Sequence, residues 1–255
     1  MDRTTTSDRD LVGGLQNGLA VIEAFDDTRP RLSISDVAQV TGLTRAAARR
    51  YLLTLTHLGY AEHDGKYFSL TPRVLRLGYA FLSSLTLPTR VQPFLERIAE
   101  ELGESSSAAV LDDGDVVYVG RAATRRIMSV GLAVGSRLPA YCTSLGRALL
   151  AHRDAAWLDA YLARTERRAM TPRTVTAPAD LLALLEGVRA SGYSLVDEEL
   201  ELGLRSIAVP VIDGRGRVAC AINVGVQAAR VPVADMTDRI LPVLRRAAED
   251  LRRVL

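Results

Sequence analysis

Apolar side chains recur at helical spacing along the first quarter of the chain. In LQNGLAVIEAF, Leu15, Leu19, Ile22 and Phe25 share one side of a helix, and the polar DDTRPR after it ends the pattern. SISDVAQVTGL starts on Ser33, a residue type that caps helices, sets Ile34, Val37 and Ala38 on one face, and stops at Gly42. Thr44 caps the next helix, whose inward stripe is Ala48, Tyr51, Leu52 and Leu55, at i, i+3, i+4 and i+7. A short helix, a tight turn containing glycine and a second helix make a helix-turn-helix. The pattern then switches to alternation in GYAEHDGKYFSLTP, centred on Asp64-Gly65, which favours a tight hairpin turn and predicts a wing.

Helical spacing returns at Val74, Leu77, Phe81 and Leu85, predicting a connecting helix that Pro88 stops. From about Val91 the pattern is mixed. A helix through QPFLERIAEEL leads into three strand-like runs, SSAAVL, DVVYVGRA and RIMSVGL. Helices are expected from Ser144, over 155–162 and over 179–190. Strands follow in YSLVDEE, LRSIAVPVID and RVACAINVGV, with IDGRGRV turning between the last two. An amphipathic helix over 233–255 closes the chain. The fold class is therefore α+β: a tail over 1–12 expected to be disordered, a winged helix-turn-helix over 13–71, a linker helix over 72–88 and an α/β domain over 89–255.

Composition changes this picture little. A length of 255 residues exceeds the usual size of one domain, and 48% hydrophobic against 24% charged residues is ordinary for a globular chain with a core. The segment MDRTTTSDRD is polar, and no run approaches the roughly 18 apolar residues of a membrane span, so a cytoplasmic protein with no membrane partner is expected. Cys142 and Cys220 lie far apart without CxxC spacing, and the histidines are His57, His63 and His152. Neither a metal, a disulfide nor a cofactor is expected.

Charge brings in the chemistry. The net charge of +2 gives no global basic field, so the distribution has to argue for any nucleic-acid partner. Lys66 is the only lysine among 32 basic residues, which makes any one pair of arginines weak evidence by itself. The stretch LTRAAARRYLLTL gains weight from its context. On a helical wheel Ala46, Arg49, Arg50 and Thr54 lie opposite the inward stripe, Arg45 sits near the helix start, and Leu53 also falls outward. A small residue beside long cationic forks suits the major groove of B-DNA, about 12 Å wide, where arginine pairs with guanine or holds phosphate. With Ser33 and Thr44 at the two helix starts and Lys66 at the wing turn, these residues are the expected contacts to double-stranded DNA. The bland alternative is a solvated helix in an arginine-rich protein. Asp36 reads as ordinary surface charge.

At this point the residues match a known family. ISDVAQVTGLTRAAARRYLLTLTHLGY resembles the N-terminal winged helix-turn-helix of IclR-type bacterial transcriptional regulators. TSLGRALLA (143–151) and SGYSLVDEELELGLRSIAVPVIDGRGRVACAINV (191–224) resemble the two signature segments of that family's effector-binding domain. Within the family, VGSRLPAYCTSLGRALLA is similar to the branch that controls aromatic-acid catabolism through the β-ketoadipate pathway. The resemblance implies a GAF-like effector domain, a dimer or dimer of dimers on a palindromic operator, and regulation by a small organic acid, aromatic or dicarboxylic. RNA polymerase is a further candidate partner. Effector binding between the sheet and the Ser144 helix would shift the paired connecting helices and so the spacing of the recognition helices.

A carboxylate sensor needs hydrogen-bond donors inside an apolar concavity. PAYCTSLGRALLA offers Thr143 and Ser144 at a helix start, then Leu145 and Gly146, the glycine allowing close packing; capping alone also accounts for Thr143 and Ser144. The resemblance puts the effector beside this segment and carries over Asp197, Ser206 and Asn223 as pocket-lining positions. Ser206 stands where many members have cysteine, and Asn223, followed by Gly225, where others have serines. Arg121, Met128, Arg137 and Tyr141 are further candidates, either arginine as partner of a ligand carboxylate. Cys142 and Cys220 read as buried apolar residues. Strand alternation separates Asp197, Glu198 and Glu199, and no metal cluster or G-x-S-x-G elbow accompanies them, so an enzyme is not expected. Two other readings are a DNA-binding oligomer without a ligand response and an enzyme on a GAF-like scaffold with Cys142 as nucleophile.

Overall fold

The computed structural model describes residues 11–26, 28–78, 86–124 and 132–255. The chain divides into two compact units, residues 1–81 and 82–255. In the first, α1 (Gly13–Glu23), α2 (Ile34–Thr41) and α3 (Arg45–His57) enclose Val21, Val37, Ala48, Leu52 and Leu55. Gly42, at φ 71°, takes the left-handed conformation that ends α2 and makes the tight turn into α3. The Ser33 hydroxyl accepts from the Asp36 N–H at 3.3 Å and the Asp36 carboxylate accepts from the Ser33 N–H at 2.8 Å. This reciprocal capping box corrects the reading of Asp36 as plain surface charge. The wing is β2 (Ala61–His63) and β3 (Tyr67–Leu70), joined by a strand the sequence does not suggest, β1 (Leu32–Ser33), which sets Leu32 opposite Phe68.

The linker helix expected over 72–88 is described in part. Pro72–Val74 form a 3₁₀ turn, residues 75–78 are helical, and 79–85 lie outside the described residues. Pro88 does not stop a helix. It lies in the first turn of α4 (Thr86–Leu102), where an N–H would have had no intrahelical partner.

The second unit is built on a six-stranded antiparallel sheet in the order β6-β5-β4-β9-β8-β7. Its strands are β4 (Ser105–Asp112), β5 (Asp115–Ala122), β6 (Arg137–Pro139), β7 (Ser194–Asp197), β8 (Leu204–Ile212) and β9 (Val218–Gln227). Alternation gives the sheet two unlike apolar faces. On one, branched residues such as Ile207, Val209, Ile222 and Val224 pack with α4 and with α8 (Leu241–Arg252). On the other, Ala109, Ala208 and Ala221 leave room for α5 (Ser144–Leu150), with α6 (Ala155–Arg164) and α7 (Pro178–Ser191) in the same core. A methyl group at Gly146 would collide with the Ala140 backbone, so glycine is what lets α5 lie against the 3₁₀ turn Ala140–Cys142.

The run RIMSVGL falls on 126–132, of which only Leu132 is described, so the strand expected there lies outside the described residues; among the described residues the short β6 pairs with β5. One expectation is corrected in this unit. The closing helix is not uniform: Val233–Asp235 and a π-helical turn, Met236–Ile240, precede α8, with Met236 and Ile240 both buried. Among the described residues no helix is long and apolar enough to cross a membrane.

Candidate functional site

Each unit carries its own candidate surface. On α3, Ala48, Leu52 and Leu55 are buried, and Arg45, Ala46, Arg49, Arg50, Leu53 and Thr54 are exposed. Among the described residues Arg45, Arg49 and Arg50 meet no carboxylate, whereas about half of the described arginines are paired with an acid. Thr44 uses its hydroxyl to accept from the Ala47 N–H at 3.2 Å, and Thr54 donates to the Arg50 carbonyl at 2.8 Å. Ser33 is likewise occupied in its capping box. At the wing, the Lys66 ammonium lies 4.9 Å and the Arg31 guanidinium 5.5 Å from the Tyr67 ring centroid, and Arg31 also pairs with Asp64. Sequence reasoning missed Arg31, because only the pairing of β1 with β3 brings it to the wing.

In the second unit a cleft opens between the sheet and the start of α5, with about 540 Å³ of open space including its mouth. Strand register decides which side chains face it. Arg121, Ser107 and Asn223 stand in one cross-strand row, and Ser105, Gly225, Ser206 and Val196 in the next; all seven line the cleft. Regular alternation would send Tyr118 and Arg121 to opposite faces. A bulge corrects this: Ala108 pairs with Gly120 and Ala109 with Tyr118, so Val119 is the extra residue and both Tyr118 and Arg121 face the cleft. Arg121 Nη1 donates to Ser107 Oγ at 3.0 Å.

The opposite wall is Cys142, Thr143 and Ser144. Thr143 Oγ1 accepts from the Gly146 N–H at 3.2 Å and donates to the Pro139 carbonyl at 3.0 Å, so it caps α5. Ser144 Oγ is buried without a hydrogen-bond partner. Burial pushes the Tyr118 phenol up to about 12, which keeps it a neutral donor, and pushes the Cys142 thiol up to about 12 as well. A thiol in that state is a poor nucleophile at neutral pH.

Five candidates lie elsewhere, and Met128 is outside the described residues. Arg137 is on the surface, donating to Asp112 at 2.6 Å and Asp115 at 3.3 Å. Tyr141 donates its hydroxyl to the Arg168 carbonyl at 2.7 Å. Leu145 is core, and Gly146 is the close approach to Ala140. Asp197 is taken by Arg205 at 2.7 Å and Arg173 at 2.9 Å. Beside it Glu198 pairs with Arg173 at 3.2 Å, and Glu199 with Arg147, so the three acids serve as counter-ions rather than as an acid–base pair. The Arg147–Glu199 pair was not anticipated. Both guanidinium ends reach the buried carboxylate at 2.6 Å, and Arg147 Nε donates to the Tyr141 carbonyl at 2.8 Å. Ser105, Ser107, Tyr118, Leu200 and Leu204 were also missed as lining residues. Among the described residues no group of three or more His, Cys, Asp or Glu could hold a metal ion.

Comparison with known proteins finds matches for both units. Residues 14–65 match the IclR helix-turn-helix domain, and residues 79–253 match the bacterial transcriptional regulator IclR C-terminal family. The chain is 47% identical to the Pca regulon regulatory protein of Pseudomonas putida, over 96% of this chain and 85% of that one. A transcriptional regulator from Rhodococcus sp. RHA1 superimposes with a TM-score of 0.82 at 48% identity, covering 95% of this chain and 98% of that one. The inducer-binding domain of the PobR transcription factor from Acinetobacter, a double mutant in complex with 3-hydroxybenzoic acid, is 35% identical with a TM-score of 0.64, covering 67% of this chain and 100% of that one.

Proposed function

The chain belongs to the IclR family of bacterial transcriptional regulators, in its aromatic-catabolism branch, and on that premise we propose how its two units divide the work. It is a ligand-responsive DNA-binding regulator and not an enzyme. In this reading α3 enters the major groove with Arg45, Ala46, Arg49, Arg50 and Thr54 facing the duplex, and Lys66 and Arg31 hold the backbone from the wing. Ser33 and Thr44 contribute by fixing the two helix starts. The observation that carries it is the exposed α3 face, where arginines free of any carboxylate among the described residues flank the small Ala46.

The cleft takes a small organic acid, with Arg121 as counter-ion and Thr143, Ser144, Ser206 and Asn223 as its polar lining. The acid held by the PobR domain supports an aromatic ligand. The protein acts in the cytoplasm, as a dimer or dimer of dimers on a palindromic operator, within reach of RNA polymerase. Fluorescence anisotropy on the upstream intergenic DNA, with and without aromatic and dicarboxylic acids, tests this. Salt-sensitive binding that one acid shifts is the expected result. No binding at moderate salt overturns the reading, and binding indifferent to every acid leaves only a DNA-binding oligomer.

A further inference from the structure

We infer that α3 reads its operator through guanine edges and a thymine methyl group: Arg49 and Arg50 pair with guanines in the major groove, and Leu53 seats on the methyl of a thymine. The inference rests on the DNA-binding reading above and names the base chemistry that an operator has to present to this helix.

Leu53 supplies the first observation. It is 38% exposed and takes no part in the core of its unit. At 100° per residue it stands beside Ala46 at the centre of the exposed face of α3, opposite Ala48, Leu52 and Leu55, with Arg49 on one flank and Arg50 on the other. A large apolar side chain in the middle of a face that meets a polyanion requires an apolar partner there. The major groove presents such a group in the C5-methyl of thymine.

The residue types on α3 supply the second. None of its thirteen positions holds an asparagine, glutamine, aspartate or glutamate. Adenine is distinguished by an amide side chain that donates to N7 while accepting from N6, so an adenine edge finds no bidentate partner on this helix. Thr54 and Thr56 already give their protons to the Arg50 and Leu52 carbonyls, at 2.8 and 2.9 Å. The planar donor forks of Arg49 and Arg50 are left, and they match the O6 and N7 acceptors of guanine.

Side-chain size orders the approach. Ala46, in the first turn, lets that end of the helix come close to the bases, while Leu53 holds the other end off by the length of its side chain. The helix therefore enters the groove N-terminus first. Ala46 and Leu53 lie seven positions apart, about 10 Å of helix, which is the rise of about three base pairs. The guanines under Arg49 and Arg50 and the thymine under Leu53 then share one short half-site.

To test this, the whole chain selects sites from a random duplex library, and the selected duplex is then altered one base at a time and titrated by fluorescence anisotropy. Deoxyuridine, which lacks only the methyl group, is expected to weaken binding about threefold at one thymine of each half-site. 7-Deazaguanine, which lacks the N7 acceptor, is expected to weaken it about tenfold at one or more guanines, and 7-deazaadenine to leave it unchanged. Leu53→Ala is expected to keep its Tm and to bind the thymine and uracil duplexes alike. Arg49→Ala or Arg50→Ala is expected to abolish the effect of 7-deazaguanine at one guanine. Three results overturn the inference and leave the DNA-binding reading standing: binding that enriches no sequence, a selected duplex indifferent to uracil or to 7-deazaguanine, and a uracil effect that survives Leu53→Ala. Sensitivity to 7-deazaadenine in place of 7-deazaguanine overturns it too. Failure to bind any duplex overturns both.

Discussion

Arg49 and Arg50 are exposed on α3 and touch nothing that holds the fold, so replacing either by alanine isolates a contact made with another molecule. Each substitution is expected to leave the melting temperature unchanged and to weaken operator binding by about 1–3 kcal/mol if the lost contact reads a base. Unchanged anisotropy titrations for both variants would mean that another face of the domain meets DNA. Arg147 and Glu199 present the reverse case. Their side chains are 2% and 10% exposed, and the pair joins α5 to the segment carrying Leu200, a wall of the cleft. Glu199→Ala strands a buried guanidinium, a loss expected to cost about 3–5 kcal/mol and to lower the urea midpoint accordingly. A midpoint like that of the unaltered chain would show that water reaches and solvates Arg147.

Among the elements, α5 is the most constrained. Gly146→Ala forces its first turn away from the 3₁₀ turn Ala140–Cys142, an overpacking expected to cost about 1–3 kcal/mol in thermal unfolding and to displace Thr143 and Ser144 from the cleft. An alanine variant with unaltered melting and acid binding would rule out this packing. The sequence already pointed to Gly146 and to β4, β5, β8 and β9, because long runs of alternating residues between turn signals read clearly. It did not show β1 or β6. Both are two or three residues long and exist only through partners distant along the chain. Of the site, α3 was legible because its register depends on the helix alone. The cleft was less so: Ser105 and Ser107 become lining residues only through pairing with β9, and Asp197 looked available until Arg173 and Arg205 were brought beside it. Arg147 was hidden for a related reason, since a charge in a short helix reads as solvent-facing when its counter-ion lies 52 residues away.

The effector unit as a whole is expected to lose stability in alkali. Tyr118 and Cys142 ordinarily ionise near 10.0 and 9.0, and burial holds both up to about 12 in the folded state. Between those values the unfolded chain releases protons that the folded one keeps, so the stabilisation is intact below about pH 9 and drains away as pH climbs towards 12. Urea midpoints measured from pH 8 upward should fall across that window, and Tyr118→Phe should flatten the fall; a level profile would contradict the burial of these groups. The bulge at Val119 sets a different limit, on what descent can alter. Side chains at 105, 107, 206 and 223 are exchangeable one at a time, so ligand preference can drift while the backbone stays put. Straightening the strand at its present length would set Arg121 opposite Ser106 and drive a cation into the aliphatic layer under α4. Lineages that retune this sensor should therefore vary the residues freely and conserve the bulge in that strand.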